Sequence, residues 1–375
     1  MEINNEDGKA KVIAYYLPQF YPNEFNNKWY GEGFTEWTNV GKAKPLFKGH
    51  YQPHVPANLG YYDLRVPEVA EQQVLLAKEA GVFGFGYWHY WWSGKMLLEK
   101  PAERMLLLQK PNFPFCFCWA NENWYKKLWD KDKKDDELIM EQTYPGEEDH
   151  ENHYKYCAPF FKDVRYIRYD NRPVFMIYKP QDLPNLNGFM SQWNELIRKD
   201  GIADSFYFIA HINSFYEKEI LCKIKDAQFD CLTFAPLGSR IGKNNTNIFK
   251  HFIHGMERRI LMACGYPNLI NYKNVVNNIW INEYDSLENV APVLIPRWDH
   301  TPRSGRRGSV FINCTPENWE VMCNKVLGKI KKKKNKMVFL KSWNEWGEGN
   351  YMEPDLKFGM DYIHALKRQI ENNRE

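Results

Sequence analysis

Eight short apolar runs recur along the chain, and most empty into a cluster of aromatic and polar residues before a helical pattern begins. They are Val12 to Leu17, Gly81 to Trp88, Phe113 to Cys118, Pro173 to Tyr178, Phe206 to Ala210, Phe229 to Phe234, Pro292 to Ile295 and Met337 to Leu340. Short continuous apolar runs of this kind read as strands buried on both faces, as in a parallel sheet. Helical patterns lie between them at Pro67 to Ala80, Leu97 to Gln109, Glu148 to Phe161, Phe189 to Lys199 and Pro316 to Ile330, with a last one at Phe358 to Ile370. Such alternation restricts the chain to α/β architectures. Eight units predict a single (β/α)8 TIM barrel over residues 1–375, with its site on the C-terminal face. The region from Asn244 to Asn289 fits the alternation least well.

The last run carries the strongest chemical signal. Met337-Val-Phe-Leu340 passes directly into Lys-Ser-Trp343-Asn344-Glu345-Trp346-Gly347-Glu348-Gly-Asn-Tyr-Met-Glu-Pro354. Glu345 and Glu348 stand three residues apart, so a helical or tightly turned backbone brings both carboxylates to one side. Repulsion and aromatic burial push the two pKa values of such a pair apart, which supplies one protonated acid and one ionised base. An arbitrary Glu-x-x-Glu is a solvated surface pair. Here the preceding strand, the flanking Trp343 and Trp346, the glycines and Asn344 make it a catalytic candidate.

Other strand ends nominate substrate contacts. Tyr16 lies at the end of the first run, and a loop rich in Gly, Pro and aromatic residues follows to about Tyr62. Its Gly31-Glu-Gly-Phe-Thr-Glu36-Trp reads as a binding wall or as a loop packing its own aromatics. The second run delivers Trp88 and His89, the histidine being a substrate hydrogen-bonder or one satisfied among aromatic neighbours. The third delivers Trp119, Asn121, Glu122 and Trp124; Asn and Glu grip sugar hydroxyls while Trp covers an apolar ring face. Tyr178 and His211 mark the fourth and fifth strand ends, and Trp298 with Asp299 follows the seventh. Arg303, Arg306 and Arg307 then form a basic loop where barrels often hold anions, the alternative being a solvated loop. Lys331 to Lys334 suit a helix C-terminus at the opposite end of the barrel and are assigned no function.

Composition narrows the class. The net charge of +3 gives no case for nucleic acid or a membrane surface as partner. Aromatic residues make up 16% of the chain, which suits a cleft that stacks sugar faces. The eight cysteines include no CxxC, and Cys116, Cys118 and Cys231 sit in apolar runs, so neither a zinc framework nor disulfides are expected. No cofactor and no metal is implied. The polar start Met1-Glu-Ile-Asn-Asn-Glu-Asp-Gly does not read as a signal peptide, and no transmembrane segment is apparent, so a soluble, cytoplasmic protein is expected unless a leader has been removed. Oligomeric state is left open.

At Ser342-Trp-Asn-Glu-Trp-Gly-Glu-Gly-Asn-Tyr-Met-Glu-Pro354 the chain resembles the endo-α-mannosidases of glycoside hydrolase family 99. Over nearly its whole length it is more similar to the WbsX-type family of polysaccharide-biosynthesis proteins, described as glycosyltransferase-like. Ala14-Tyr-Tyr-Leu-Pro-Gln-Phe-Tyr21, Gly33-Phe-Thr-Glu-Trp-Thr-Asn39, Gly84-Phe-Gly-Tyr-Trp-His-Tyr90 and Trp119-Ala-Asn-Glu-Asn-Trp124 carry that second likeness. The endomannosidase resemblance implies a retaining mechanism in which one Glu deprotonates the sugar 2-hydroxyl, which attacks C1. The other protonates the leaving oxygen and then activates water. Carried onto this motif, Glu345 is the base and Glu348 the general acid/base, with Gly347 standing where that motif carries a histidine.

The expected function is an endo-acting, retaining glycoside hydrolase on a bacterial surface polysaccharide of O-antigen or capsule type. Two alternatives stand beside it: a glycosyltransferase or transglycosidase of polysaccharide biosynthesis, and a carbohydrate-binding protein without catalysis. No Rossmann glycine fingerprint supports a nucleotide-sugar enzyme, and Asp130-Lys-Asp132 has metal-site spacing without a strand beside it.

Overall fold

A computed structural model describes residues 1–3, 8–126, 137–213, 217–235, 261 and 264–373. Asp130 and Asp132 lie outside the described residues, as does much of the Asn244 to Asn289 region. Eight strands form the central wall: β1 (Lys11–Tyr16), β2 (Gly84–Trp92), β3 (Phe115–Trp119), β4 (Arg172–Ile177), β5 (Tyr207–Asn213), β6 (Cys231–Ala235), β7 (Val293–Leu294) and β8 (Met337–Leu340). Neighbours pair in parallel from β6 back to β1, then β1 with β8 and β8 with β7. A single parallel bridge between Leu232 and Val290 closes the ring, with Leu232 N donating to Asn289 O and Ala291 N to Leu232 O, both at 2.8 Å. The architecture is the expected (β/α)8 TIM barrel.

Seven of the longer helices surround it: α1 (Pro67–Glu79), α2 (Lys100–Leu108), α3 (Glu147–Phe161), α4 (Leu186–Lys199), α5 (Glu217–Ile224), α6 (Pro316–Ile330) and α7 (Asp361–Asn372). Their starts follow local chemistry: Pro67 and Pro316 sit in the first turn of α1 and α6, and Asn185 and Thr315 cap α4 and α6 through their side-chain oxygens. The layer between strands and helices is strongly aromatic, with Phe161, Phe175, Trp193 and Phe206 mutually packed and fully buried.

One strand runs further than its sequence suggests. Rather than stopping at Trp88, β2 continues through His89 and Tyr90 to Trp92 and turns back into an antiparallel pairing with Lys95–Leu97. Side chains along it therefore keep alternating across the wall. The loop after β1 holds two short helices, Glu24–Tyr30 and Glu36–Lys42, the second opened by a Thr35/Thr38 capping box. Its start is tied to the C-terminal motif, where Asn344 exchanges two hydrogen bonds with the Leu17 backbone at 2.7 and 3.0 Å, and further along His50 and Gln52 reach Asp299, beyond β7, at 2.7 and 2.6 Å.

No helix among the described residues is long and apolar enough to cross a membrane. All eight cysteines are free thiols, and Cys116, Cys118 and Cys231 are buried in the wall. Lys333 is also buried and donates to the carbonyls of Asp285, Leu287 and Val290, which fixes the chain as it enters β7.

Candidate active site

Two short strands, Asn344–Glu345 and Asn350–Tyr351, pair as a hairpin just beyond β8, and a 3₁₀ turn at Trp346–Glu348 forms its tip. In that turn, side chains three residues apart fall on the same side, so Glu345 and Glu348 emerge together. Gly349 ends the turn at φ +55°, where an added Cβ would lie 2.7 Å from Asp299 Cβ and 2.9 Å from Asp299 N. Asp299 N in turn donates to Glu348 O at 2.7 Å. Trp346, between the two glutamates, stacks on Tyr351 at 3.6 Å and donates to Glu353 at 2.6 Å. Glu353 also accepts from Gln73 and Tyr62, and burial pushes its carboxyl up to about 7.

The carboxylate pair opens onto a cleft of about 490 Å³ at the C-terminal face of the barrel. Arg303, on a short helical turn after β7, reaches into it and binds three carboxylates: Nη1 to Glu348 at 2.6 Å, Nη2 to Glu345 at 2.8 Å and Nε to Glu36 at 3.0 Å. Gly347 makes room for this cluster, since a Cβ there would collide with the Glu36 carboxylate and lie 2.9 Å from Arg303 Nε. Burial raises Glu345 to about 7, and repulsion from Glu348 and Glu36 adds to it against the pull of Arg303. Burial also opposes charge on Glu348, but Arg303, together with His300 at 3.5 Å, outweighs it and holds this carboxyl well below the ordinary carboxylate range. Within the pair the two shifts therefore run in opposite directions, Glu345 up and Glu348 down.

Aromatic side chains from four segments wall the cleft: Tyr30 stacks on Phe34 at 4.5 Å, Tyr15 on Trp88 at 4.8 Å, and Tyr90 meets Trp124 edge-on at 5.1 Å. Tyr178 and His211 close the far side, 4.6 Å apart. Glu122 and Lys179 form an ion pair at 3.0 Å on the rim.

Of the residues that the sequence nominates, Trp88, Glu122, Trp124, Tyr178, His211, Arg303, Glu345 and Glu348 line this cleft. Tyr16, His89 and Trp119 sit at positions of opposite parity and face the helices. The Tyr16 hydroxyl donates to Gln73 on α1 at 2.8 Å, while Trp119 packs on Phe189 of α4 and donates to Trp91 O. His89 lies 2.7 Å from His153 of α3 and 3.7 Å from Cys157, forming the one buried His/Cys group among the described residues with metal-ligand proximity. That group is outside the cleft, and burial lowers His89 to about 3, which keeps it neutral.

Several nominated residues support the site without lining it. Asn121 stitches the end of β3 to the backbone of Lys179, Asn344 holds Leu17, and Trp343 and Trp346 are buried. Asp299 accepts from His50, Gln52 and Thr301, whereas Trp298 donates to Ser309 and stacks on His300. Arg306 and Arg307 are exposed and do not line the cleft. Tyr15, Tyr90, Asn39 and Lys341 line it without having been singled out, and Glu36 was noted only as part of a loop wall.

A parallel (β/α)8 barrel thus presents a carboxylate pair and an aromatic cleft at its C-terminal face, the end at which enzymes of this fold carry their active sites. Residues 12–366 match the family model described as glycosyltransferase WbsX, and the chain belongs to that family. Its relatives include the uncharacterised protein WxcX of Xanthomonas campestris pv. campestris, 30% identical over 96% of this chain; the chain spans about half the length of that relative. Among solved structures, a glycoside hydrolase-like protein superposes with a TM-score of 0.62 at 14% identity, over 99% of this chain and 95% of the other. The family 99 endo-α-mannosidase of Bacteroides thetaiotaomicron superposes with a TM-score of 0.58 at 15% identity, over 96% and 97%. At such identities these two likenesses establish the shared fold.

Proposed function

We propose that this chain acts as one catalytic unit that breaks an internal glycosidic bond in a bacterial surface polysaccharide, with retention, through the Glu345 and Glu348 pair. The observation that carries the reading is two carboxylates on a single turn, both held by Arg303 and facing an aromatic cleft, with Glu345 pushed up and Glu348 held down. Following the family 99 resemblance, Glu345 activates the 2-hydroxyl, and Glu348 protonates the leaving oxygen and then activates water. That assignment requires Glu348 to start the cycle protonated and Glu345 ionised, the reverse of the directions in which their surroundings push them. Swinging Arg303 Nη1 off Glu348 as the sugar enters, while Nη2 stays on Glu345, supplies the cause, because burial then raises the Glu348 carboxyl and the guanidinium still favours charge on Glu345.

Oligosaccharide release measured by mass spectrometry tests the reading, using capsule and O-antigen polysaccharides without nucleotide sugar. Discrete products from the wild type are expected, with the Glu348→Gln variant slower by about a hundred- to ten-thousand-fold and still binding glycan. Recovery of the variant on substrates with an activated leaving group is the signature of a lost general acid. Wild-type turnover by Glu348→Gln would falsify the assignment. The family's glycosyltransferase description favours a second reading, in which a sugar hydroxyl replaces water as acceptor. Chain extension only when an activated donor is added is its signature.

A further inference from the structure

The cations of the cleft are ion-paired with one exception. Lys179 is paired with Glu122, and Arg303 is saturated by Glu36, Glu345 and Glu348. Lys341, the first residue beyond β8, also lines the cleft, and among the described residues its ammonium has no carboxylate within ion-pair distance. It is held in place rather than loose. Its backbone N–H donates to Leu294 O at 2.9 Å, and its ammonium lies 5.0 Å above the ring of Trp298, which is fixed by its bond to Ser309 and its stack on His300. Lys341 shares this cleft with Glu345, Glu348 and His211.

A fixed, half-buried cation facing an aromatic wall recognises an anion that arrives with the ligand. The carboxylates around it restrict which anion. A dianionic phosphate or diphosphate would meet Glu36, Glu345 and Glu348 with a single uncommitted cation to offset them, whereas one carboxylate matches one ammonium. We propose that Lys341 receives the carboxylate of an acidic sugar, so that the substrates of this cleft are glycans built with hexuronic or other monocarboxylate residues. The proposal rests on the reading of the cleft as a glycan site, and it moves anion recognition from the exposed Arg306 and Arg307 to a residue beside the catalytic pair.

Equilibrium binding tests it without requiring turnover. Uronate-containing capsular and O-antigen polysaccharides are measured by calorimetry, each beside the same polymer after its carboxyls have been reduced to alcohols. The native form of at least one polymer is expected to bind the wild type about tenfold tighter than its reduced partner, with a preference that weakens in salt. In Lys341→Met that ratio falls to about one, and Lys341→Arg restores most of it; thermal melts establish that both variants are folded. Three results overturn the proposal: no preference for any native polymer, no binding of any, or a ratio that survives in Lys341→Met. Preference without any cleavage would leave the proposal standing and remove the hydrolase reading instead.

Discussion

At the scale of single residues, the cleft stores free energy in the wrong place for stability and the right place for chemistry. Glu345 titrates near 7, above the ordinary 4.5 of a glutamate, because burial penalises its charge. A raised carboxyl contributes stability that is complete below about pH 4.5 and is lost as pH climbs through 7. Glu345→Gln removes that dependence. The variant is expected to lose activity yet melt several degrees higher than wild type at pH 8, a gain of up to about 3 kcal/mol that vanishes towards pH 4.5. Melting curves across that range test the sign; a variant less stable than wild type at pH 8 would mean that the Arg303 contact outweighs the burial.

At the scale of elements, the hairpin after β8 is positioned by backbone contacts that leave little tolerance. Gly349→Ala places a side chain at positive φ and against the Asp299 backbone, which cannot swing aside. A cost of about 1–3 kcal/mol is expected, together with reduced kcat, because the Glu348 carbonyl is anchored to the same residue. Gly41→Ala is the control. It lies on the exposed side of the Glu36–Lys42 helix with open space around it, and the substitution is expected to be neutral or slightly stabilising.

The strands themselves were legible, since all eight apolar runs became barrel strands to within a few residues. Which face of each strand looks into the cleft was not. Parallel strands covered on both sides carry no alternation of apolar and polar residues, so nothing in Tyr15-Tyr16 or Trp88-His89-Tyr90 marks the inner member. Stopping β2 at Trp88 made His89 look like a strand end. Its continuation to Trp92 turns His89 outward and Tyr90 inward. The cluster around Arg303 was illegible for a different reason: Glu36 and Arg303 are 267 residues apart, and only the closed ring brings them together. Lys341 lay inside the quoted motif but was eclipsed by the glutamates beside it.

At the scale of the whole molecule, the wall is uneven. The two-residue β7 is paired to β8 on one side, and on the other, among the described residues, the ring is joined to β6 by a single bridge just before β7. Lys333 compensates by gathering three carbonyls next to this joint. Lys333→Met would remove the one charged donor these carbonyls share, although Leu287 O keeps the Val290 N–H at 3.1 Å, so a loss of about 1–3 kcal/mol and a fall of a few degrees in Tm are expected. Glycan turnover at low temperature should persist, because the lysine lies at the opposite end from the cleft. An unchanged melt would show that water reaches those carbonyls.

A ring fastened so thinly has a preferred place to breathe. Partial openings favour the joint with the fewest pairings among the described residues, so excursions of the native state are expected to concentrate where β6 meets β7. The turn bearing Arg303 is suspended from that same stave. The Arg303 guanidinium is thus carried at the far end of the stave with the fewest described pairings, and a shift of it is expected to leave the better-bonded strands of the aromatic cleft undisturbed.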